Sequence, residues 1–92
     1  MANTYVVYKH TNLINNKSYI GITKYGENPN YRWRNGMGYQ ENNEFFEDII
    51  KYGWNNFSHE ILESELNEIE AIQKEREYIT KYDCVDNGYN RS

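Results

Sequence analysis

Three side chains that can hold or exchange a proton, Tyr8, His10 and Tyr19, fall at alternating positions of two short runs, Tyr5-Val6-Val7-Tyr8-Lys9-His10 and Tyr19-Ile20-Gly21-Ile22-Thr23. Both runs are rich in β-branched and aromatic residues, and the eight residues between them are mostly turn formers, which predicts an antiparallel hairpin. With an even-numbered turn using Asn15-Asn16, facing residues have numbers with an odd sum. Tyr8, His10, Tyr19, Gly21 and Thr23 then share one face. Gly21 has no side chain, so whatever docks on this face can come close to the backbone there. Packing, with the hydroxyls at the rim, is the commoner role for strand tyrosines, and spacing alone favours it over a site.

A fourth chemical group comes from helical spacing. Asn67 with Glu70 forms a capping-box pattern, and the periodicity runs to about Lys81 with an apolar stripe of Ala71, Ile72, Tyr78, Ile79 and Tyr82. Glu75 is three or four residues from Ala71, Ile72, Tyr78 and Ile79 and so lies in the middle of that stripe, whereas Glu77 has polar neighbours at the same offsets and faces water. A carboxylate among buried neighbours costs several kcal/mol unless something satisfies it. An ion pair with an arginine such as Arg32, or a metal ion, would do so.

The remaining elements must position these groups. Asn28 as N-cap and Pro29 at the first helical position start a short helix through Tyr31-Arg32-Trp33-Arg34 that stops by Gly36 or Gly38. Trp33 is its anchor into the core, and Arg32 and Arg34 point in different directions. Asn42 or Asn43 caps a second helix whose Phe45, Phe46, Ile49 and Ile50 are core residues and which Gly53 stops. Trp54-Asn55-Asn56 turns the chain into a third strand, Phe57 to Glu63, with ragged alternation, where His59 reads as a packed or rim residue. After the last helix a turn-rich tail runs from Asp83 to Ser92, and Asn90 could fold back to brace the site. The element order is β-β-α-α-β-α.

Ninety-two residues make one domain, 1–92, with room for one site. Cys84, the only cysteine, excludes an internal disulfide and fits a reducing, intracellular setting, with the thiol as a packing residue. No apolar run reaches the length of a signal sequence or of a membrane span of about 20 residues, so a soluble cytoplasmic protein with no membrane partner is expected. The net charge of −4 opposes long-range attraction to a polyanion. The charge is uneven, however. Residues 1–40 carry Lys9, Lys17, Lys24, Arg32 and Arg34 against Glu27 alone, and the acids concentrate in residues 41–77. A phosphate-bearing ligand is allowed at the hairpin end.

In this order the elements resemble the GIY-YIG nuclease domain over nearly the whole chain, and are most like the catalytic domains of phage and intron-encoded homing endonucleases. The first motif corresponds to Val6-Val7-Tyr8 and the second to Tyr19-Ile20-Gly21, preceded by Asn15-Asn16-Lys17; Arg32-Trp33 matches the family arginine and the tryptophan after it, Glu75 its metal-binding glutamate, and Asn90 its terminal asparagine. The resemblance implies a small α/β (α+β) fold, a three-stranded antiparallel sheet flanked by helices. It implies a DNA endonuclease that hydrolyses a phosphodiester with one divalent metal, Mg²⁺ or Mn²⁺, held by Glu75. Arg32 would clamp a phosphate oxygen, Tyr8 would serve as general base, Tyr19 would position water or phosphate, and Asn90 would orient the site. A separate DNA-recognition region, absent from this chain, is implied too, in a bacterial or phage-infected host. The sequence departs from the pattern at Val6, which replaces a glycine, and at Gly36, where some members have a histidine; His10 is the candidate substitute. The alternative is an inactive nucleic-acid-binding or protein-interaction module in which Arg32 and Glu75 pair.

Overall fold

The computed structural model describes residues 3–91. The two sequence runs form strands β1, Tyr5–Asn12, and β2, Ser18–Thr23, paired antiparallel with Val6 opposite Thr23, Tyr8 opposite Gly21 and His10 opposite Tyr19. The odd-sum register is as expected, and Tyr8, His10, Tyr19, Gly21 and Thr23 share a face. The turn centres one residue earlier than on Asn15-Asn16: the Asn12 amide donates to the Lys17 carbonyl, and Asn16 takes the left-handed backbone that asparagine tolerates (φ 64°).

The third strand, β3, Phe57–Leu66, lies on the other side of β1, so the sheet order is β2-β1-β3 with every pair antiparallel. It is three residues longer than expected. The ragged alternation has a geometric cause: register shifts between Tyr5 and Val7 and between Val7 and Tyr8 mark a bulge, with Glu65 at φ 58°. Together with the three helices this is the α+β architecture in the order β-β-α-α-β-α.

Helix α1, Asn30–Trp33, is a single turn, shorter than its sequence pattern indicates. Pro29 occupies the cap position and Asn28 contributes only its carbonyl, which accepts from the Tyr31 amide. The chain leaves the helix at Arg34, where Arg34, Asn35 and Gly36 turn left-handed (φ 50°, 54° and 95°) before a 3-10 stretch ends at Tyr39. Helix α2, Asn43–Tyr52, is capped by Asn42, whose side chain accepts from the Phe45 amide, and closed by Gly53. Helix α3, Glu68–Lys81, starts with the full capping box, Asn67 and Glu70 each bonding the other's backbone amide.

β1 is covered on both faces. On one side Val6, Tyr8, Tyr39, Phe45, Ile49, Phe57 and Tyr89 form a buried cluster with Trp33, Tyr19 and Trp54 against it; on the other Val7, Ile20 and Cys84 pack under Tyr78 and Ile79 of α3. Burial pushes the Cys84 thiol up to about 11, as suits a packing residue. Three expected core assignments change, those of Ile50, Ile72 and Tyr82, the last being exposed just past the end of α3. Ile50 is 61% exposed because the face of α2 toward the sheet is set by Phe45 and Ile49, four apart, and Ile72 is 37% exposed because α3 turns Ala71, Glu75, Tyr78 and Ile79 inward. Accordingly, Phe45→Ala is expected to cost about 3 to 5 kcal/mol, and Ile50→Ala about 0.5 kcal/mol or less, read from urea unfolding midpoints.

Candidate active site

Tyr8 is central in both position and burial. It stands directly opposite Gly21, and a β-carbon built on that glycine would sit 2.5 Å from the phenol oxygen and 2.6 Å from Cζ. The space left by the missing side chain is therefore taken by the chain's own phenol, not by a docking ligand as the sequence suggested. The ring thus lies across β2, an edge strand, and the hydroxyl is carried toward the sheet edge. Only 1% of Tyr8 is exposed.

The β2 edge is secured by the tail. The Asn90 side chain accepts from the Ile20 amide and donates to the Ile20 carbonyl, both at 2.8 Å, and the Tyr89 amide donates to the Ser18 carbonyl at 2.9 Å. The carboxamide acts as one more strand residue, closing the edge and fixing the backbone on which Tyr19 and Gly21 stand. Bracing by Asn90 was an expectation from the sequence, and the atoms it braces are those of Ile20.

Arg32 enters from the last turn of α1. Its Nη1 donates to the Gly38 carbonyl at 2.6 Å, where a side chain on residue 38 would collide with the guanidinium, and its Cζ lies 4.6 Å from the centre of the Tyr39 ring. So anchored, it faces the phenols. Its charge opposes the rise in pKa of Tyr8, Tyr19 and Tyr39.

Glu75 approaches from α3, which packs on the opposite face of the sheet. Its charge still reaches both Tyr8 and Tyr19 and raises them. The side chain is half-buried, and loss of water pushes its own pKa upward, with Arg76 pulling back. Among the described residues no ion pair within 4.0 Å engages it, with Arg32 or otherwise, so the structural ion pair considered from the sequence is not made. Glu77 is exposed and pairs with Lys74, as its offsets indicated. An unpaired, partly desolvated carboxylate suits a hard cation with oxygen ligands. No three His, Cys, Asp or Glu side chains gather to hold a metal among the described residues, so protein ligation there would rest on Glu75, with water and phosphate oxygens for the rest. Arg32 is in the vicinity of the phenols, and the charge of Glu75 reaches Tyr8 and Tyr19. A recess of about 360 Å³ between Thr4, Gly26 and Glu65 is lined by none of these residues.

Burial raises Tyr8, Tyr19 and Tyr39 above the ordinary phenol value, and it dominates every opposing contribution. A neutral phenol is therefore the resting form of each. His10, the proposed substitute imidazole, has both ring nitrogens taken up by Tyr39 and His59; it contacts Tyr8 with ring centres 5.0 Å apart and is walled in by Trp33 and Trp54. Tyr39, which sequence reasoning left unassigned, and His59, which it read as a packed or rim residue, complete the surroundings: the Tyr39 hydroxyl donates to Tyr8, and His59 stands beside His10. His59 carried a findable signal, since a strand paired with β1 can align it with His10. Tyr39 did not, because its place depends on the left-handed turn at residues 34–36.

Gly21→Ala is expected to lower stability by about 1 to 3 kcal/mol, as overpacked sites do, measured by thermal unfolding. The loss should persist in a Tyr8→Phe background, because the ring carbon itself is in the way.

The chain matches no protein-family model and no curated protein. Among solved structures it is similar to the catalytic domain of the homing endonuclease I-TevI, at 26% identity and a TM-score of 0.78, covering 96% of this chain and 98% of that one.

Proposed function

We propose, from the premise that this chain has the fold and motif order of a GIY-YIG nuclease domain of the homing-endonuclease type, that it is a metal-dependent endonuclease hydrolysing DNA phosphodiesters at the face formed by Tyr8, Tyr19, Arg32 and Glu75. What supports this reading is that a tethered Arg32 and a Glu75 with no ion-pair partner among the described residues, on elements covering opposite faces of the sheet, both act electrostatically on Tyr8 and Tyr19. An inactive module would be expected to neutralise these two charges against each other, and it does not.

A Mg²⁺ or Mn²⁺ ion bound at Glu75 would polarise the scissile phosphate and stabilise the leaving oxygen. Arg32 holds a non-bridging phosphate oxygen with the guanidinium nitrogens not spent on Gly38, its planar fork donating to two acceptors at once. Tyr19, the less buried phenol, positions the phosphate or the attacking water. Tyr8 receives the proton of that water. Its raised pKa rules out a standing phenolate at neutral pH, so Tyr8 must shed its own proton as it accepts another. Asn90 acts through the Ile20 backbone and keeps Tyr19 and Gly21 in register. The net charge of −4 opposes tight unaided binding to DNA. Target finding is accordingly assigned to a separate recognition region, and the place of action to the cytoplasm of a bacterial or phage-infected cell.

Incubating supercoiled plasmid with the purified chain tests this. Nicking should require Mg²⁺ or Mn²⁺ and stop on chelation. Glu75→Ala should abolish it while the domain stays folded, and Glu77→Ala should leave it within about twofold, as a solvent-facing charge would. Arg32→Ala should cost about 2 to 4 kcal/mol of transition-state stabilisation. A Glu75→Ala protein that still cuts in Mg²⁺ overturns the assignment.

A further inference from the structure

Four rings stand in hydrogen-bond sequence from the candidate site to the solvent. The Tyr39 hydroxyl donates to the Tyr8 oxygen at 3.1 Å, the Tyr39 oxygen lies 2.8 Å from Nε2 of His10, and Nδ1 of His10 lies 2.9 Å from Nδ1 of His59. The fold makes this row directly: Tyr8 and His10 alternate on one face of β1, His59 sits opposite His10 on β3, and Tyr39 comes in from the stretch after α1. The first three groups are buried, whereas His59 opens to solvent.

Such a row has two polarities, because a phenol hydrogen rotates and a neutral imidazole carries its proton on either nitrogen without movement of heavy atoms. In the inward polarity His59 donates to His10, Nε2–H of His10 donates to Tyr39, and Tyr39 donates to Tyr8, whose own hydrogen points into the site. In the outward polarity Tyr8 donates to Tyr39, Tyr39 donates to Nε2 of His10, and Nδ1–H of His10 donates to His59. The Tyr8 oxygen then faces the site as an acceptor. The hydroxyl arrangement in the structure, Tyr39 donating to Tyr8, is that of the inward polarity. A neutral His59 with its proton on Nε2 has a bare Nδ1 toward His10 and permits the outward one.

We propose that this row is the proton outlet of the site, with His59 as the terminal acceptor acting through His10, Tyr39 and Tyr8. The proposal rests on the hydrolytic reading above. As the water oxygen bonds to phosphorus and the bond to the leaving oxygen breaks, the water proton passes to the Tyr8 oxygen. The Tyr8 proton moves to Tyr39, the Tyr39 proton to Nε2 of His10, and the Nδ1 proton of His10 to Nδ1 of His59. Each phenol ends neutral, His10 ends neutral, and His59 ends as an imidazolium that returns its proton to solvent; the leaving oxygen takes a proton from solvent. No phenolate forms, so the raised pKa of the buried phenols is no obstacle.

Acid closes the outlet for a structural reason. A protonated His59 has no bare nitrogen, so its Nδ1–H must point at His10, and a proton on His10 instead has the same effect at Tyr39. Either forces the inward polarity. Burial is the main cause that holds both imidazoles below the ordinary value of 6.5; His59 and then Arg32 from α1 lower His10 further, and the Trp54 backbone opposes the fall at His59. The other groups facing the pair are the rings of Trp33 and Trp54 and the neutral phenols Tyr8, Tyr19 and Tyr39.

The test combines a spectrum with a pH profile. Long-range ¹H–¹⁵N spectra of the full chain, without DNA or metal, should show neutral His10 protonated on Nδ1 at high pH and switching to Nε2 as His59 titrates. The Mg²⁺-dependent nicking rate should fall about tenfold per pH unit below that same midpoint. His59→Gln, which cannot take up a proton, should lose about a hundredfold in plateau rate and lose the acid limb. A His10 tautomer indifferent to His59 titration, or a His59→Gln protein with wild-type rate and limb, overturns the proposal. Failure of the hydrolytic reading looks different: no nicking by the wild-type chain at any pH beside an intact tautomer switch, which removes the outlet's purpose as well.

Discussion

The cross-strand pair of Tyr8 and Gly21 is the constraint on which the rest of this small domain depends. A phenol can lie flat across a neighbouring strand only where that strand offers no side chain, and the closeness of the contact leaves no room for even one methyl group. Because β2 is an edge strand, the same contact delivers a desolvated hydroxyl to the sheet edge, within the field of a carboxylate on one face and a guanidinium on the other. Register, edge protection by Asn90 and the tether of Arg32 to Gly38 all serve to keep that arrangement in place.

Desolvation sets the chemistry of the arrangement. A buried phenol keeps its proton, and a buried imidazole stays neutral, so the interior of the site is a set of uncharged groups that can each give one proton while taking another. The charges sit at the rim, where Arg32 keeps a fixed positive charge beside the phenols and Glu75 meets water and whatever cation joins it. This division lets one small core be both well packed and polar: His10, with no exposure, has both ring nitrogens engaged, by Tyr39 and by His59, and carries no unsatisfied nitrogen into the core.

Burial on both faces of β1 explains how ninety-two residues without a disulfide support such a site. Aromatic rings from the stretch after α1, from α2 and from β3 fill one side, and the aliphatic seam under α3 fills the other. The polar row is embedded in the aromatic half, where edge-to-face packing against Trp33 and Trp54 holds the imidazole of His10 without excluding its hydrogen bonds.

Local patterns in the chain determined a good deal. Alternation fixed the hairpin face shared by Tyr8, His10 and Tyr19, capping chemistry fixed the start of α3, and helical offsets separated Glu75 from Glu77. These depend on periods of two and 3.6 residues and are settled by neighbours in the chain. What depended on long-range geometry was decided only in three dimensions. A left-handed turn at residues 34–36 cuts α1 to one turn and swings Tyr39 onto Tyr8. A bulge in β3 shifts its register against Tyr5 and Val7 of β1, and the way α2 and α3 dock leaves Ile50 and Ile72 in water while Glu75 turns inward. No periodicity encodes these, because each is a compromise among contacts that come from distant parts of the chain.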